Sequence, residues 1–186
     1  MLMALSAVKQ ALGLDLPNLK SVILGGAILS PDHLHNCVCE LGAKAVENTY
    51  GMTEGVFITL GRQEPDVYIS GDEVTAGKAF PGAGVKICSP DQTVPVPRGA
   101  VGELHYHGNT VCDTYVGKAT DDWYTDDDGR TWFKTGDQAR MDEEGRIFII
   151  GRYKDIVIRG GKNLACMAME ANLGKQAFTH PNSTDT

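Results

Sequence analysis

The sequence predicts a mixed α/β fold in which a parallel α/β part is followed by a β-rich part, built as a meander or distorted barrel. Two observations predict this class. Up to position 72, helical and strand-like segments alternate, as they do where a helix connects two parallel strands. From about Glu73 onward, short β-like runs are separated by glycines and prolines, which is typical of antiparallel strands joined by turns.

Composition and charge exclude several classes of protein. The chain has 186 residues, of which 42% are hydrophobic and 22% charged, so it is long and apolar enough to bury a core. Its formal net charge of -7 argues against nucleic acid as a partner, because proteins that bind the phosphate backbone present a basic face. No apolar run approaches the roughly 20 residues that cross a membrane, and Lys9 interrupts the apolar N-terminal segment.

The cysteines bear on the cellular compartment. There are five at irregular spacing, and only Cys37 and Cys39 lie close together, without a second pair to complete a zinc site. We interpret all five as buried thiols in a reducing compartment, which predicts a cytoplasmic protein. The other three are Cys88, Cys112 and Cys166.

The first predicted elements are a helix and a strand. The N-terminal helix would be amphipathic, with Leu2, Leu5, Val8 and Leu12 on its apolar side. The run "LKSVILGGA" that follows is short, continuous and apolar, and it is stopped by a pair of glycines. This pattern is typical of a strand buried on both faces.

A second helix and a second strand complete a parallel unit. Ser30 before Pro31 indicates a helix start, because a capping hydroxyl precedes the residue favoured at the first helical position, and the helix should run to about Leu41. The segment "AKAVEN" predicts the next strand, parallel to the first through a right-handed crossover. In such sheets ligands bind beyond the carboxyl ends of the strands, where "GGA" and "NTYGMTE" lie.

Three segments stand out in the later part of the chain. "MDEEGRIFII" predicts a hairpin with Gly145 at its turn. The acidic run "TDDWYTDDDG" lacks the register and terminal Glu of an EF-hand calcium loop, so we interpret it as a solvated acidic turn. Beyond Gly161, the segment "ACMAMEANLGKQAF" has a helical pattern.

The stretch "NTYGMTEG" is the first candidate site. A purine base is usually held by an aromatic face and an amide, which Tyr50 and Asn48 can provide. A triphosphate needs hydroxyl donors and its magnesium ion needs a carboxylate, which suits Thr53 and Glu54. The alternative is a turn in which these polar groups only satisfy the backbone.

Two further motifs carry polar groups suited to a nucleotide. In "FKTGD" a glycine turn would present Asp137 at the end of a strand, where its carboxylate could accept hydrogen bonds from both hydroxyls of a ribose. In "GRYKD" the planar guanidinium of Arg152 follows a strand and suits phosphate. The alternatives are an ordinary turn for the first motif and a surface salt bridge for the second.

Taken in order, six motifs resemble the adenylate-forming superfamily, which includes acyl-CoA synthetases, luciferase-like enzymes and the adenylation domains of nonribosomal peptide synthetases. The resemblance covers the chain from Leu19 to about Glu170. The motifs are "GGAILS", "NTYGMTEG", "GKAFPGAGVKI", "GELHYHGNTVCDTY", "WFKTGD" and "GRYKDIVIRGGKN".

The resemblance implies an activity, its cofactors and its partners. ATP would activate a small-molecule carboxylic acid as an acyl-adenylate with the help of Mg²⁺, and pyrophosphate would leave. The acyl group would then pass to a thiol, either that of coenzyme A or that of the phosphopantetheine on a carrier protein. Catalysis would rest mainly on positioning and charge stabilisation.

The resemblance also implies roles for individual residues. Tyr50 would stack on adenine, Thr53 would contact phosphate, Glu54 would hold magnesium, Asp137 would bind the ribose hydroxyls, and Arg152 would contact ribose or phosphate. Thr53, Glu54 and Arg152 are therefore the expected catalytic residues. The other residues expected at the nucleotide and acyl pocket are Gly25, Gly26, Ala27, Asn48, Thr49, Gly51 and Met52.

The domain organisation follows from the same resemblance. Residues 1–72 would be a partial α/β subdomain of a large adenylation domain, and residues 73–150 its β-rich subdomain. Residues 151–155, with Lys154 and Asp155, would form a hinge, about which a small domain rotates between the two half-reactions. Residues 156–186 would be the truncated start of that small C-terminal α+β domain.

The chain also departs from the family pattern. The family's phosphate-wrapping loop, which ends in Pro-Lys-Gly, has no counterpart here, and Lys162 and Lys175 lie too close to the hinge to replace the family's C-terminal catalytic lysine. Ile28, Cys166 and Ala168 stand where the pattern usually has Pro, Pro and Glu. These departures leave two alternatives open: an inactive remnant that serves as a nucleotide-binding or interaction module, and a split enzyme completed by another chain.

Overall fold

The computed structural model describes residues 2–63, 69–70, 73–117, 120–159 and 162–165. Helix α1 (Leu2–Ala11) comes first, and α2 (Pro31–His35) continues into a π-helical turn (Asn36–Glu40). None of the described helices has the length and apolar character needed to span a bilayer. The strands are β1 (Ser21–Gly25), β2 (Ala45–Met52), β3 (Gly55–Gln63), β4 (Ile69–Ser70), β5 (Glu73–Val74), β6 (Lys78–Ala79), β7 (Gly84–Cys88), β8 (Val101–His107), β9 (Trp123–Thr125), β10 (Thr131–Met141), β11 (Ile147–Arg152), β12 (Ile156–Arg159) and β13 (Lys162–Ala165).

The first sheet contains the predicted parallel unit. Its strand order is β1-β2-β3-β6, and β1 pairs with β2 in parallel. The helical segment from Pro31 to Glu40 connects these two strands, and Gly42 ends the segment with a left-handed φ of 82°. The predicted helix start at Ser30, the helix end near Leu41 and the parallel pair are therefore confirmed.

The second sheet is the β-rich part. Its strands run antiparallel in the order β11-β10-β8-β7, and the short β9 pairs with β10. The predicted hairpin is confirmed, since β10 and β11 are joined by a turn in which Gly145 has a φ of 79°. The acidic run "TDDWYTDDDG" is only partly the predicted turn, since its middle forms β9 and only residues 126–129 turn into β10. In that turn Asp126 accepts hydrogen bonds from the backbone N–H of Arg130 and the indole N–H of Trp132.

The segment Thr75–Gly77 joins the two sheets. It leads into β6 of the first sheet, and it also pairs with the edge of the second sheet at Ile147. The N–H of Ala76 donates to the oxygen of Ile147 over 2.7 Å, and the N–H of Ile147 donates to the oxygen of Gly77 over 2.8 Å. The β-rich part is thus an antiparallel sheet whose β11 edge is tied to the α/β part.

The core consists of two apolar clusters. One cluster packs between the sheets, and the other lies under α2. The buried members of the first are Ile58, Ile87, Leu104, Tyr106, Ala139, Met141 and Ile147, and those of the second are Leu34, Cys37, Ala43, Val46 and Val74.

The cysteine prediction is only partly correct. Cys37 and Cys88 are fully buried and free, as expected. Cys39 is exposed, because it lies on the outer side of the π-helical turn, one helical turn from His35. Cys112 is half-buried, and Cys166 lies outside the described residues.

The apolar side predicted for α1 is mostly exposed, although Leu2 packs on the cluster under α2. The helix forms, but Leu5, Val8 and Leu12 of its apolar side are 53%, 49% and 65% exposed. The helix instead turns a polar side toward the π-helical turn, where the hydroxyl of Ser6 donates to Asn36 Oδ1 over 2.6 Å and the ammonium of Lys9 donates to the Glu40 oxygen over 2.7 Å. These polar contacts fix the rotation of the helix.

Strand β1 is also less buried than predicted. Val22 and Leu24 pack on the cluster under α2, but Ile23, on the opposite face, is 63% exposed. No described helix covers that face of the sheet, so the prediction of burial on both faces is wrong for this chain. The predicted C-terminal helical segment begins at Ala165, which ends β13, and its remainder lies outside the described residues, as does Gly161.

Candidate functional site

A cleft of about 380 Å³ lies where the carboxyl end of β1 faces the end of β11. One wall is the loop after β1, residues 26–29, and the neighbouring strand β2 from Asn48 to Gly51. The opposite wall is formed by Asp137, Ile149, Gly151, Arg152 and Asp155. The cleft therefore opens at the sheet end where a parallel strand–helix–strand unit is expected to bind ligands.

Strand β2 extends further than the sequence predicts. Its last pair with β1 joins Gly25 to Thr49, but β3 continues to pair with β2 as far as Met52 and Gly55. Asn48 to Met52 are therefore strand residues rather than members of a turn, because the hairpin with β3 supplies backbone hydrogen bonds beyond the end of β1. Only Thr53 and Glu54 lie at the turn itself.

The "FKTGD" motif is not the predicted turn at the end of a strand. Strand β10 includes the whole motif, and a β-bulge shifts the register of β10 against β8 between Lys134 and Gln138. Gly136 takes up the bulge with a left-handed φ of 71°. A bulge bends a strand and redirects a side chain, which here is that of Asp137.

Two buried side chains hold this bulge. The hydroxyl of Thr135 donates to the oxygen of Leu104 over 2.7 Å and accepts the N–H of Asp137 over 3.1 Å. The carboxylate of Glu103 on β8 accepts the N–H of Gly136 over 3.0 Å. Burial tends to raise the pKa of Glu103, but the neighbouring His105 ring, the N–H of Gly136 and the charge of Lys134 outweigh that effect and lower it.

Asp137 brings three predicted site residues together. It is only 4% exposed, and each carboxylate oxygen has its own partner. The hydroxyl of Tyr50 on β2 donates to Oδ2 over 2.5 Å, and Nε of Arg152 at the end of β11 donates to Oδ1 over 3.0 Å. The side chain of Arg152 remains 55% exposed and lines the cleft.

The protonation states at this centre follow from burial and charge. Burial raises the pKa of Asp137, while hydrogen bonds from Tyr50 and Arg152 act in the opposite direction. Burial and the neighbouring Asp137 carboxylate raise the pKa of Tyr50 well above its usual value. The phenol of Tyr50 therefore stays protonated and donates its hydrogen to Asp137 at neutral pH.

Glu54 and Thr53 lie apart from this cleft. Thr53 borders a shallow depression next to it, lined also by Gly25, Gly51, Met52 and Phe57. Three residues, Gly26, Thr49 and Gly51, line both the depression and the cleft, so the two hollows adjoin. The structure thus divides the predicted site: Thr53 lines the depression, whereas Glu54, next to it in the turn, lines neither hollow.

The carboxylate of Glu54 is held by a tyrosine that is not among the residues predicted from the sequence. The hydroxyl of Tyr115 donates to Glu54 Oε1 over 2.5 Å. This hydrogen bond, with some burial, raises the pKa of Tyr115 to about 12, so its phenol is a donor at neutral pH. Tyr115 ends the motif "GELHYHGNTVCDTY", but its contact spans 61 positions and has no local signal.

The remaining predicted residues are also located. Asn48 is buried, and its amide donates to the oxygen of Thr75 over 2.8 Å. Ala27 lines the cleft in the loop after β1. Lys154 and Asp155 lie in a 3-10 turn directly after β11, both are exposed, and Asp155 lines the cleft.

The arrangement defines a class of protein. A cleft at the end of a parallel pair, with a buried carboxylate beside a guanidinium and an aromatic ring, is suited to a sugar hydroxyl and an anionic group. The chain belongs to the AMP-binding enzyme family, whose model matches residues 1–116.

Comparisons with individual proteins agree with this family. The acyl-CoA ligase sidI of Aspergillus fumigatus is 36% identical over 162 residues, which make up 86% of this chain and 27% of that protein. The ATP-bound structure of MatB from Rhodopseudomonas palustris matches with a TM-score of 0.61 and 34% identity, covering 77% of this chain and 27% of that one. The O-succinylbenzoate coenzyme A synthetase of Bacillus subtilis, in complex with ATP and a magnesium ion, matches with a TM-score of 0.68 and 26% identity, covering 88% and 32%. The chain thus spans about a third or less of each of these three proteins.

Proposed function

We propose that the cleft binds the adenosine part of ATP or AMP, as part of an enzyme that activates a carboxylic acid as an acyl-adenylate. The activated acyl group would pass to the thiol of coenzyme A or of a phosphopantetheine on a carrier protein. The observation that carries the proposal is the Asp137 carboxylate, buried and fixed between Tyr50 and Arg152. Comparison with acyl-CoA ligases supports it.

The cleft residues have distinct roles in this proposal. Asp137 accepts hydrogen bonds from the ribose hydroxyls, since each of its oxygens has one partner among the described residues and a carboxylate offers about four acceptor positions. Tyr50 keeps its hydroxyl on Asp137, so its ring face is the part left for adenine. Arg152 directs its exposed N–H groups toward phosphate or ribose.

The side chains at the turn between β2 and β3 are suited to binding a magnesium ion. Glu54 Oε2 has no hydrogen-bond partner among the residues that the structure describes, and Thr53 next to it is exposed. Carboxylate oxygens are the ligands that Mg²⁺ prefers, with water completing the shell. When bound, the ion would neutralise phosphate charge, while Glu54 would hold it and Thr53 would contact phosphate.

We also propose that the turn with Lys154 and Asp155 is a hinge between the large domain and residues 156–186. The 3-10 turn ends the chain segment that lines the cleft. After it, β12 and β13 pair only with each other among the described strands. A short turn between separately paired units is a position where a few residues can absorb a domain rotation.

The experiment that tests the nucleotide site is calorimetry on the purified chain with Mg-ATP, and with AMP as competitor. We expect saturable binding that AMP displaces, because the adenosine contacts are common to both ligands. Absence of heat at millimolar ATP would overturn the proposal. A parallel titration with GTP tests whether adenine contributes, since Asn48 and Tyr50 are proposed to contact the base.

The pH dependence of binding is a second expected result. Because burial raises the pKa of Asp137, the carboxylate is lost on acidification at a higher pH than for an ordinary aspartate. ATP affinity should therefore fall as the pH is lowered through that raised pKa. The ratio of wild-type to Asp137→Asn affinity isolates the effect, because titration of ATP itself cancels. A ratio that stays constant with pH would contradict the assignment.

A further inference from the structure

The turn that carries Glu54 is fastened to a loop from the other sheet. This loop, Gly108–Tyr115, follows β8. The N–H of Cys112 donates to the backbone oxygen of Glu54 over 2.8 Å, and the hydroxyl of Thr110 donates to the oxygen of Val56 over 2.8 Å. The backbone of the turn is therefore fixed by contacts that do not involve the Glu54 side chain.

The hydroxyl of Tyr115 adds a contact of a different kind. It donates to the Glu54 carboxylate, whereas Cys112 and Thr110 donate to backbone oxygens. It occupies Oε1 and leaves Oε2 without a partner among the described residues. Since the backbone is already held, this hydrogen bond determines the orientation of the carboxylate rather than the path of the chain.

Tyr115 is itself held rigidly. Its ring meets the indole of Trp123 edge to face at a centroid distance of 5.1 Å. Trp123 in turn donates its indole N–H to the oxygen of Cys112 over 2.7 Å and packs against Phe133 at 4.7 Å. The phenol is thus presented to Glu54 from a fixed aromatic cluster on the second sheet.

We propose that Tyr115 is a positioning residue that orients the Glu54 carboxylate so that one oxygen is open to a divalent cation. The inference rests on the proposed role of Glu54 in holding magnesium. Carboxylate ligands of metals are themselves hydrogen-bonded, and removal of such a partner typically costs about 10–100-fold in metal affinity. Tyr115 is such a hydrogen-bonding partner of the Glu54 carboxylate.

The test is Tyr115→Phe, which removes the hydroxyl and keeps the ring on Trp123. ATP binding is measured by calorimetry in EDTA and over a series of Mg²⁺ concentrations. We expect the half-saturating Mg²⁺ concentration to rise about 10–100-fold, while affinity for ATP in EDTA stays unchanged and excess Mg²⁺ restores full binding. The matched control is Tyr124→Phe, because the Tyr124 hydroxyl contacts His105 instead of Glu54.

The outcomes separate this inference from the proposed function. Glu54→Gln should raise the Mg²⁺ requirement at least as much as Tyr115→Phe does. If Glu54→Gln leaves it unchanged, the proposed metal ligand is wrong and this inference fails with it. If Glu54→Gln raises the Mg²⁺ requirement and Tyr115→Phe does not, only the inference about Tyr115 is overturned. If Tyr115→Phe loses the same ATP affinity with and without Mg²⁺, Tyr115 is merely structural and the inference is overturned. The same holds if the melting temperature of Tyr115→Phe falls well below that of Tyr124→Phe.

Discussion

Asp137→Ala is expected to weaken ATP binding by about 100-fold or more. A hydrogen bond to a charged group contributes about 1.5–3 kcal/mol, and the carboxylate is proposed to accept one from each ribose hydroxyl. Two such bonds correspond to at least two powers of ten in affinity. The variant also leaves the Tyr50 hydroxyl and the Arg152 guanidinium without their shared partner, which disorders the wall of the cleft.

The measurement is a calorimetric titration of both proteins with Mg-ATP, accompanied by melting curves. The matched control is Asp128→Ala, which removes a carboxylate paired with Arg130 over 3.0 Å in the exposed turn before β10. That control should bind ATP as the wild type does, because surface ion pairs contribute little and this one lies outside the cleft. If Asp137→Ala binds within threefold of the wild type while still folded, the ribose assignment is wrong.

The chemistry of this centre can be predicted from the sequence, but its geometry cannot. Asp137, Tyr50 and Arg152 are candidates because a carboxylate, an aromatic ring and a guanidinium suit the parts of a nucleotide. Their meeting point depends on a β-bulge fixed by Glu103, whose partner Gly136 is 33 positions away. A strand's alternation of side chains predicts which face is buried, and it contains no information on such a register shift.

The same limit explains why the predicted helix α1 and strand β2 differ from the structure. The pattern of α1 correctly predicts a helix, but its rotation is set by polar contacts of Ser6 and Lys9 with a turn some 30 positions later. The length of β2 depends on its pairing with β3, which a run ending at Asn48 does not reveal. In each case the local pattern predicts the element, and the non-local partner determines its extent or orientation.

The join between the sheets depends on one glycine. Gly77 has a φ of 90°, and a Cβ added to it would lie 2.2 Å from the N of Gly61 and 2.3 Å from the carbonyl C of Leu60. Both are backbone atoms of β3, so relief requires the strands to separate. Gly77 also accepts the N–H of Ile147 over 2.8 Å, which ties the first sheet to β11. Its conformation and its contacts therefore both exclude a side chain.

Gly77→Ala is expected to lower the free energy of unfolding by about 2–5 kcal/mol. Left-handed backbone strain accounts for about 1–2 kcal/mol, and overpacking against backbone adds about 1–3 kcal/mol or more. Urea denaturation measures the loss. Gly82→Ala is the matched control, since Gly82 has a φ of 86° and a Cβ added there would have no other atom within 4 Å. In Gly82→Ala the free energy of unfolding should therefore fall only by the contribution of left-handed backbone strain.

The difference between the two variants isolates the close approach of the backbones. If Gly77→Ala is within about 1 kcal/mol of Gly82→Ala, the contact does not hold the sheets together as the structure indicates. The same variant should also weaken ATP binding, because Asn48 donates to the oxygen of Thr75 in the segment that Gly77 ends. Displacement of that segment would move Asn48 and the neighbouring Tyr50, and with them the wall that faces Asp137.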